Sequence, residues 1–175
     1  TMDTAQAYLA LLAQYRQQKD EQAFAELVRR YAGVVYTTSH RILGDAARAE
    51  EVSQETFFKL MQKPQAVTRS VGGWLHRVAT QLSIDVIRSD SARKDREQQY
   101  GKDHPQEVSR WEQLSPIIDH ALSELPDEHR DLLVRHFLQG TSQSDLAVEA
   151  QTSAATISRR IKAATNMLRS QLKRK

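Results

Sequence analysis

The sequence has no cysteine, few helix-breaking residues and no long apolar run. Without cysteine, the chain can form neither a disulfide nor a thiolate metal site. Only 6 glycines and 4 prolines occur among 175 residues, and alanine, leucine, glutamine, arginine and glutamate are abundant, which favours an all-helical protein. No apolar stretch approaches the roughly 18 residues that a membrane span requires. We therefore expect no membrane insertion, and a cytoplasmic location.

The motifs of common enzymes are also missing. The 6 histidines show no metal-ligand spacing such as H-E-x-x-H, and no glycine-rich loop suited to holding phosphates occurs. An enzyme is thus the weaker hypothesis. We expect no catalytic residues, no metal site and no cofactor.

Charge is distributed unevenly along the chain. The net charge is only +3, but the stretch 156–175 carries seven basic residues and no acidic one, which indicates a polyanionic partner. A second stretch, 45–55, is acidic and has Arg48 as its only cation. Its acidic side chains suggest a different, basic partner, and they are Asp45, Glu50, Glu51 and Glu55.

The basic end has the pattern of two helices joined by a tight turn. Ser142 and Asp145 have the spacing of a capping box, and Ser153 can cap the second helix. Apolar residues recur on one side of that second helix at Ile157, Ile161, Ala164, Leu168 and Leu172. The opposite side is predicted to carry Ser158, Arg159, Arg160 and Lys162, and Thr156 lies at the start of the same helix. This arrangement is typical of a helix-turn-helix unit that reads the DNA major groove.

Apolar residues recur at helical spacing in the first half of the chain as well. This spacing predicts helices over 5–17, 21–43 and 45–62, followed by a loop at 63–73. The next helix, 73–89, separates an inward apolar face from a second stripe. That stripe consists of Trp74, Arg77, Gln81, Asp85 and Arg88. For Trp74, a place in the core and a functional role are equally compatible with the pattern.

A polar segment divides the chain. Residues 91–112 have the composition of a linker, so we predict one domain over 1–90 and another over 113–175. A flexible linker of this length would hold the halves about 25 Å apart on average. The predicted fold is therefore all-α, with two small helical domains joined by a flexible polar linker.

Two separate stretches resemble one family, the extracytoplasmic-function (ECF) group of sigma-70 type bacterial RNA polymerase sigma factors. AEEVSQETFFKL, residues 49–60, is similar to the family's core-binding segment E-D-x-x-Q-E-T-F. GGWLHRVATQLSIDVIRS, residues 72–89, resembles its promoter-melting helix. Residues 122–172 resemble the four-helix domain that reads the −35 element. The resemblance implies a sigma-2-like helical bundle followed by a sigma-4-like helix-turn-helix domain.

The resemblance also implies partners and roles. The acidic helix, with Asp45, Glu50, Glu51, Gln54 and Glu55, would dock on the β′ clamp helices of core RNA polymerase. The Trp74 stripe would read and open promoter DNA at −10, with 63–73 as the lid over a flipped base. The second domain would read −35 and contact the β flap. An anti-sigma protein is a further candidate partner.

Two residues depart from the family pattern. Gln81 stands where the family usually has asparagine, and Gln151 stands where the family's turn usually has glycine. Gln151 must therefore form a different turn or adopt a strained conformation. An alternative function remains open, because a polymerase-independent helix-turn-helix regulator would also explain the C-terminal half. That alternative gives no purpose to the acidic helix or the Trp74 helix.

Overall fold

The second helix of the chain begins and ends at the residues that the sequence predicts. Asp20 caps it, because its carboxylate accepts hydrogen bonds from the amides of Gln22 at 3.0 Å and Ala23 at 3.1 Å. Gly44 ends it in the left-handed region at φ 66°, and its amide donates to the carbonyl of His40 at 2.9 Å.

A computed structural model describes residues 4–97 and 110–174, and the side chains of 6–92 and 113–174. In these ranges the chain forms eight α-helices and no β-strand, which confirms the predicted all-α fold. The helices are α1 Thr4–Gln18, α2 Glu21–Leu43, α3 Ala46–Gln62, α4 Val71–Glu97, α5 Arg110–Ser123, α6 Asp127–Leu133, α7 Gln143–Glu149 and α8 Ala154–Lys173. A short 3-10 turn, Pro64–Ala66, lies between α3 and α4, and α6 continues as a π-helical turn over Val134–Leu138.

Helices α1 to α4 enclose one hydrophobic core. Helix α2 packs against α1, α3 and α4, so its apolar stripe is covered on three sides. The core consists of Leu12, Leu27, Tyr31, Val35, Leu60, Val71, Leu75 and Ala79. Its position on the inner side of α3 and α4 leaves the outer faces of both helices exposed.

Helices α5 to α8 enclose a second, separate core. Helix α8 packs against α5, α6 and α7. Its buried side chains Ile157, Ile161 and Ala164 are those predicted from the helical spacing. The rest of this core consists of Leu122, Leu125, Leu133, Val134, Leu146 and Ala147. Two cores in one chain match the predicted pair of helical domains.

The structure differs from the sequence prediction around the segment 91–112. Helix α4 extends to Glu97 rather than ending near Ser89, and α5 already begins at Arg110. The remaining part of the predicted linker, 98–109, lies outside the described residues. The two halves are also in contact, because α5 packs on α2 and α4, and α6 packs on α4. The composition of the segment carries no information on such tertiary contacts, so the expected separation of about 25 Å does not describe this state.

Candidate nucleic-acid and partner interfaces

The outer face of α3 is acidic and open. Its buried side chains, Ala49, Val52, Thr56 and Leu60, face the first core. The predicted partner-binding residues on the opposite side, Glu50, Glu51, Gln54 and Glu55, are all exposed. They lie on consecutive turns, so α3 presents one continuous carboxylate-rich surface.

Asp45 caps the start of this helix and also borders its acidic surface. Its carboxylate accepts a hydrogen bond from the amide of Arg48 at 2.9 Å, which is a standard helix cap. The Arg48 guanidinium pairs instead with Asp90 on α4. The only cation of the acidic stretch 45–55 is thereby turned away from the acidic surface and towards α4.

Two apolar side chains belong to the same surface and were not assigned from the sequence. Phe58 is 45% exposed and Met61 is 37% exposed. They follow Gln54 and Glu55 by three to seven residues, so they continue the acidic face along α3. Exposed aromatic and methionine side chains beside charged ones are typical of protein interfaces. The signal in the sequence was their position outside the buried register of the helix.

The predicted −10 stripe lies on one side of α4. Four of its residues are exposed, namely Arg77, Gln81, Asp85 and Arg88. Trp74 is half-buried and packs against the first core. The tryptophan is therefore held by the core while part of its ring stays accessible. Arg88 lies 3.9 Å from Asp85, measured from guanidinium nitrogen to carboxylate oxygen, so these two charges partly compensate each other.

The segment 63–73, predicted to be a lid, is fixed to the start of this helix. The Ser70 hydroxyl accepts a hydrogen bond from the amide of Gly73 at 3.0 Å, which caps the first turn of α4. Pro64, at the other end of the segment, is buried. The lid therefore crosses beside Trp74 with both ends anchored.

The helix-turn-helix unit forms as predicted. Ser142 caps α7 by accepting from the amide of Asp145 at 3.0 Å, and its hydroxyl donates to the Asp145 carboxylate at 2.7 Å. Ser153 caps α8 by accepting from the amide of Thr156 at 3.1 Å. The predicted DNA-binding side chains Ser158, Arg159, Arg160 and Lys162 are exposed, and Thr156 is half-buried. Arg159 donates to the Thr156 hydroxyl at 3.2 Å, which orients its guanidinium along the exposed face.

The turn between α7 and α8 contains Gln151 at the position where the family usually has glycine. Gln151 adopts φ 50°, in the left-handed region that side-chain-bearing residues avoid. This conformation costs about 1–2 kcal/mol for an L-residue. The turn therefore keeps the geometry that glycine would allow, with strain stored at Gln151.

A buried charge network joins the two halves of the chain. Asp119 on α5 is 3% exposed and accepts hydrogen bonds from Arg41 Nε and Nη2, both at 3.0 Å. His76, which is fully buried on α4, lies with Nε2 3.0 Å from the same carboxylate. An ionised carboxylate only accepts, so the histidine Nε2 carries the hydrogen. Burial by itself would raise the pKa of Asp119, but the bonds from His76 and Arg41 outweigh it and hold that pKa below its usual value.

Comparison with known proteins agrees with this geometry. Residues 27–93 match the family described as sigma-70 region 2, and residues 121–170 match the family described as sigma-70, region 4. The chain is 31% identical to the ECF RNA polymerase sigma factor SigL of Mycobacterium tuberculosis over 79% of this chain and 82% of that protein. The chain belongs to the ECF sigma factors. The acidic face and the Trp74 stripe lie in region 2, and the basic helix α8 lies in region 4.

This sigma factor is also similar to other known proteins. It is 29% identical to the ECF sigma factor RpoE of Cereibacter sphaeroides over 93% of both chains. It is also 29% identical to SigE of Mycolicibacterium smegmatis, where the match covers 84% of this chain and 60% of the relative. Among solved structures, CnrH in complex with the cytosolic domain of CnrY is similar at a TM-score of 0.44 and 23% identity, over 95% and 97% of the two chains.

The part of this sigma factor that the structure describes contains neither a membrane-spanning helix nor a metal-binding group of side chains. None of the helices there is long and apolar enough to cross a membrane. Among the side chains of residues 6–92 and 113–174, no group of three or more histidine, aspartate or glutamate residues is arranged to hold a metal ion.

Proposed function

We propose that this chain binds core RNA polymerase through α3 and places it on promoters by reading −35 with α8 and −10 with α4. The observation that carries the proposal is the exposure of three chemically different faces on one chain, each within the matching sigma region. In this role the chain supplies recognition, while the polymerase supplies catalysis. The site of action is then the cytoplasm, where polymerase meets DNA.

Polymerase docking is assigned to the acidic face and its apolar neighbours. Exposed carboxylates such as Glu51 and Glu55 complement a basic helical partner and steer its approach. Phe58 and Met61 supply the apolar area that gives such an interface most of its affinity. The family's docking site, the β′ clamp helices, would meet this surface, and the β flap would meet the second domain.

The −10 role is assigned to the Trp74 stripe. Opening a duplex requires an aromatic ring to stack on an exposed base, cations to hold phosphates and amides to read base edges. Trp74, Arg77 and Gln81 supply one group of each kind within two turns of α4. Asp85 and Arg88 extend the stripe by about two more turns. We also propose that the first domain ends near residue 90 and that the second domain begins near residue 113.

The −35 role is assigned to α8. A helix that enters the major groove contacts bases with the side chains near its N-terminus. Ser158 and Arg159 are placed there to face base edges, whereas Arg160 and Lys162 are suited to phosphates. Thr156 contributes by orienting Arg159.

A charge change on α3 tests the docking assignment. The double variant Glu51→Lys with Gln54→Ala should weaken binding to core polymerase at least tenfold, because it places a cation against a basic partner. Binding is measured by titrating labelled chain with core enzyme. The matched control, Glu21→Lys with Gln22→Ala, makes the same chemical change on α2 and should leave affinity unchanged.

The outcome separates two functions. Co-elution of the wild-type chain with core enzyme, lost only in the α3 variant, supports the assignment. A chain that binds promoter duplex but never co-elutes with polymerase is a helix-turn-helix regulator. Equal affinity of the α3 variant and wild type would place the docking surface elsewhere.

A further inference from the structure

A polar cavity of about 240 Å³ lies between the two halves of the chain. Tyr8, Arg30 and Tyr31 line it from α1 and α2, and the second domain lines it with residues that include Arg135 and Asp145. None of the described residues that line it belongs to α3, α4 or α8. A cavity of about 150 Å³ can hold benzene, so this space suits a molecule of about ten heavy atoms.

A largely buried ion pair lines the second-domain side of the cavity. Arg135, in the π-helical turn, pairs with the carboxylate of Glu149 on α7. The two side chains are 16% and 8% exposed, so water screens this pair less than it screens a surface pair. Each charge is neutralised by its partner. The pair therefore makes the cavity polar without favouring ligands of one sign.

The wall on the first-domain side is aromatic and uncharged. Tyr31 is buried and packs edge to face on Tyr8, with the ring centroids 5.4 Å apart. Burial raises the pKa of Tyr31 to about 12, although a hydrogen bond with the Gln139 side chain and nearby arginines act in the opposite direction. Its hydroxyl therefore stays neutral at physiological pH, and this wall offers ring surface without adding a charge.

Two exposed charges of opposite sign border the cavity without an ionic partner. The Arg30 guanidinium lies over the Tyr8 ring, 5.8 Å from its centroid, and none of the described carboxylates lies within 4 Å of it. Asp145 accepts a hydrogen bond from the uncharged Ser142 hydroxyl at 2.7 Å, and no cation among the described side chains pairs with it. Because Arg30 belongs to α2 and Asp145 to α7, the two charges come from opposite halves of the chain.

The backbone that carries Arg135 and Gln139 leaves regular helix geometry beside the cavity. Residues Val134–Leu138 form the π-helical turn, and the amide of Gln139 donates to the carbonyl of Val134 at 3.0 Å. Gly140 follows in the left-handed region at φ 70°. Turns of this kind are rare and occur frequently at functional sites. The irregular backbone is therefore a second observation, independent of the charges, that marks this cavity.

The charges around the cavity favour a ligand that carries both signs. Two guanidiniums and two carboxylates line it, so their formal charges cancel. A simple anion would be attracted by Arg30 and repelled by Asp145, and a simple cation would meet the reverse. A zwitterion can place its carboxylate against the guanidinium and its ammonium group against the carboxylate. Both free charges of the site are then paired.

We propose that this cavity is a binding site for a free α-amino acid, whose carboxylate pairs with Arg30 and whose ammonium group pairs with Asp145. The side chain of the ligand packs against the rings of Tyr8 and Tyr31, as in other small-molecule sites that combine apolar walls with a few placed polar groups. Both halves supply residues, so a bound amino acid contacts both. The inference does not rest on the three faces proposed above for polymerase and promoter.

Thermal unfolding of the full chain tests the site. Each standard amino acid is added separately at about 5 mM, and a ligand with a Kd of about 1 mM should then raise the melting temperature by about 2–4 °C. Arg30→Gln removes the guanidinium and should abolish the rise. The control, Arg29→Gln, makes the same change at the preceding residue of α2, which pairs with Glu26 outside the cavity. This control should keep the rise.

Two analogues test the requirement for both charges. Isothermal titration compares the amino acid that gives the largest rise with its N-acetyl derivative, which lacks the ammonium group, and with its decarboxylated amine. Each analogue should bind about tenfold or more weakly than the amino acid, because it leaves one charge of the site unpaired. Asp145→Asn should weaken binding of the amino acid by a similar factor without weakening binding of the N-acetyl derivative.

Three results would overturn the inference. The first is a wild-type chain whose melting temperature rises with none of the amino acids. The second is an equal rise in Arg30→Gln and Arg29→Gln, which would place the ligand elsewhere. The third is an N-acetyl derivative that binds as tightly as the amino acid, which would make the cavity a site for anions. Arg30→Lys guards against a folding defect, because it keeps the positive charge and should restore part of the rise. Circular dichroism checks that every variant is folded.

Discussion

Replacing Asp119 with alanine should cost more stability than any change at an exposed charge of this chain. The carboxylate accepts three hydrogen bonds, two from Arg41 and one from His76, all at 3.0 Å. Its removal leaves the His76 Nε2 donor fully buried without this acceptor. It also leaves Arg41 without its carboxylate partner.

The magnitude follows from the burial of the three partners. An unsatisfied buried donor costs about 1–3 kcal/mol. Loss of one partner of a fully buried ion pair costs about 3–5 kcal/mol, but the Arg41 side chain is 28% exposed, so water replaces part of what it loses. We expect the free energy of unfolding to fall by about 2–4 kcal/mol in Asp119→Ala. Asp119→Asn retains the shape and one acceptor oxygen, so its loss should be smaller.

Urea unfolding of the full chain, followed by circular dichroism at neutral pH, measures this loss. The control is Glu128→Ala, which also removes a contact between the halves but has a side chain 57% exposed, so it should cost about 1 kcal/mol or less. Equal losses of unfolding free energy for Asp119→Ala and Glu128→Ala would refute the reasoning. Burial of the Asp119 network would then add nothing to its contribution to stability.

Three further predictions test other parts of the structure. Gln151→Gly should raise the free energy of unfolding by about 1 kcal/mol, because glycine adopts φ 50° without strain; a lower melting temperature than wild type would contradict this. Arg159→Ala should reduce the preference for a −35 duplex over mismatched duplexes about fivefold or more in a binding titration, whereas an equal loss on all sequences would make the residue a phosphate clamp. The stability that Asp119 contributes should be present above its unfolded-chain pKa near 3.9 and should fall as pH falls towards its lower folded-state pKa. Unfolding between about pH 6 and about pH 3 should therefore show a steeper loss for wild type than for Asp119→Asn. Burial raises the pKa of Asp131, which has the opposite effect on stability, but this contribution is common to both proteins and cancels in the comparison.

Local chemistry made much of the fold predictable. Helix caps such as Asp20, Ser142 and Ser153 depend on residues within one turn, and the sequence contains them directly. The buried sides of α2 and α8 follow from helical spacing for the same reason. The acidic and basic faces were also predictable, because side chains that are absent from the apolar stripe must lie outside the core.

Contacts between distant residues were not predictable in this way. His76 and Asp119 are separated by 43 residues along the chain, and neither lies in a spacing that indicates a pair. The linker composition suggested separate halves, yet the buried network and the α6 contact hold them together. Phe58 and Met61 lie outside the predicted buried register of α3, but how much of each side chain stays exposed depends on how α3 packs against its neighbours.

Transcription by core RNA polymerase on a library of genomic fragments tests the central claim most directly. With the purified chain added, we predict new start sites preceded by two shared sequence elements at fixed spacing, and loss of those starts with Trp74→Ala. Start sites identical to those of core polymerase alone, from a chain that nevertheless binds duplex DNA, would contradict the account.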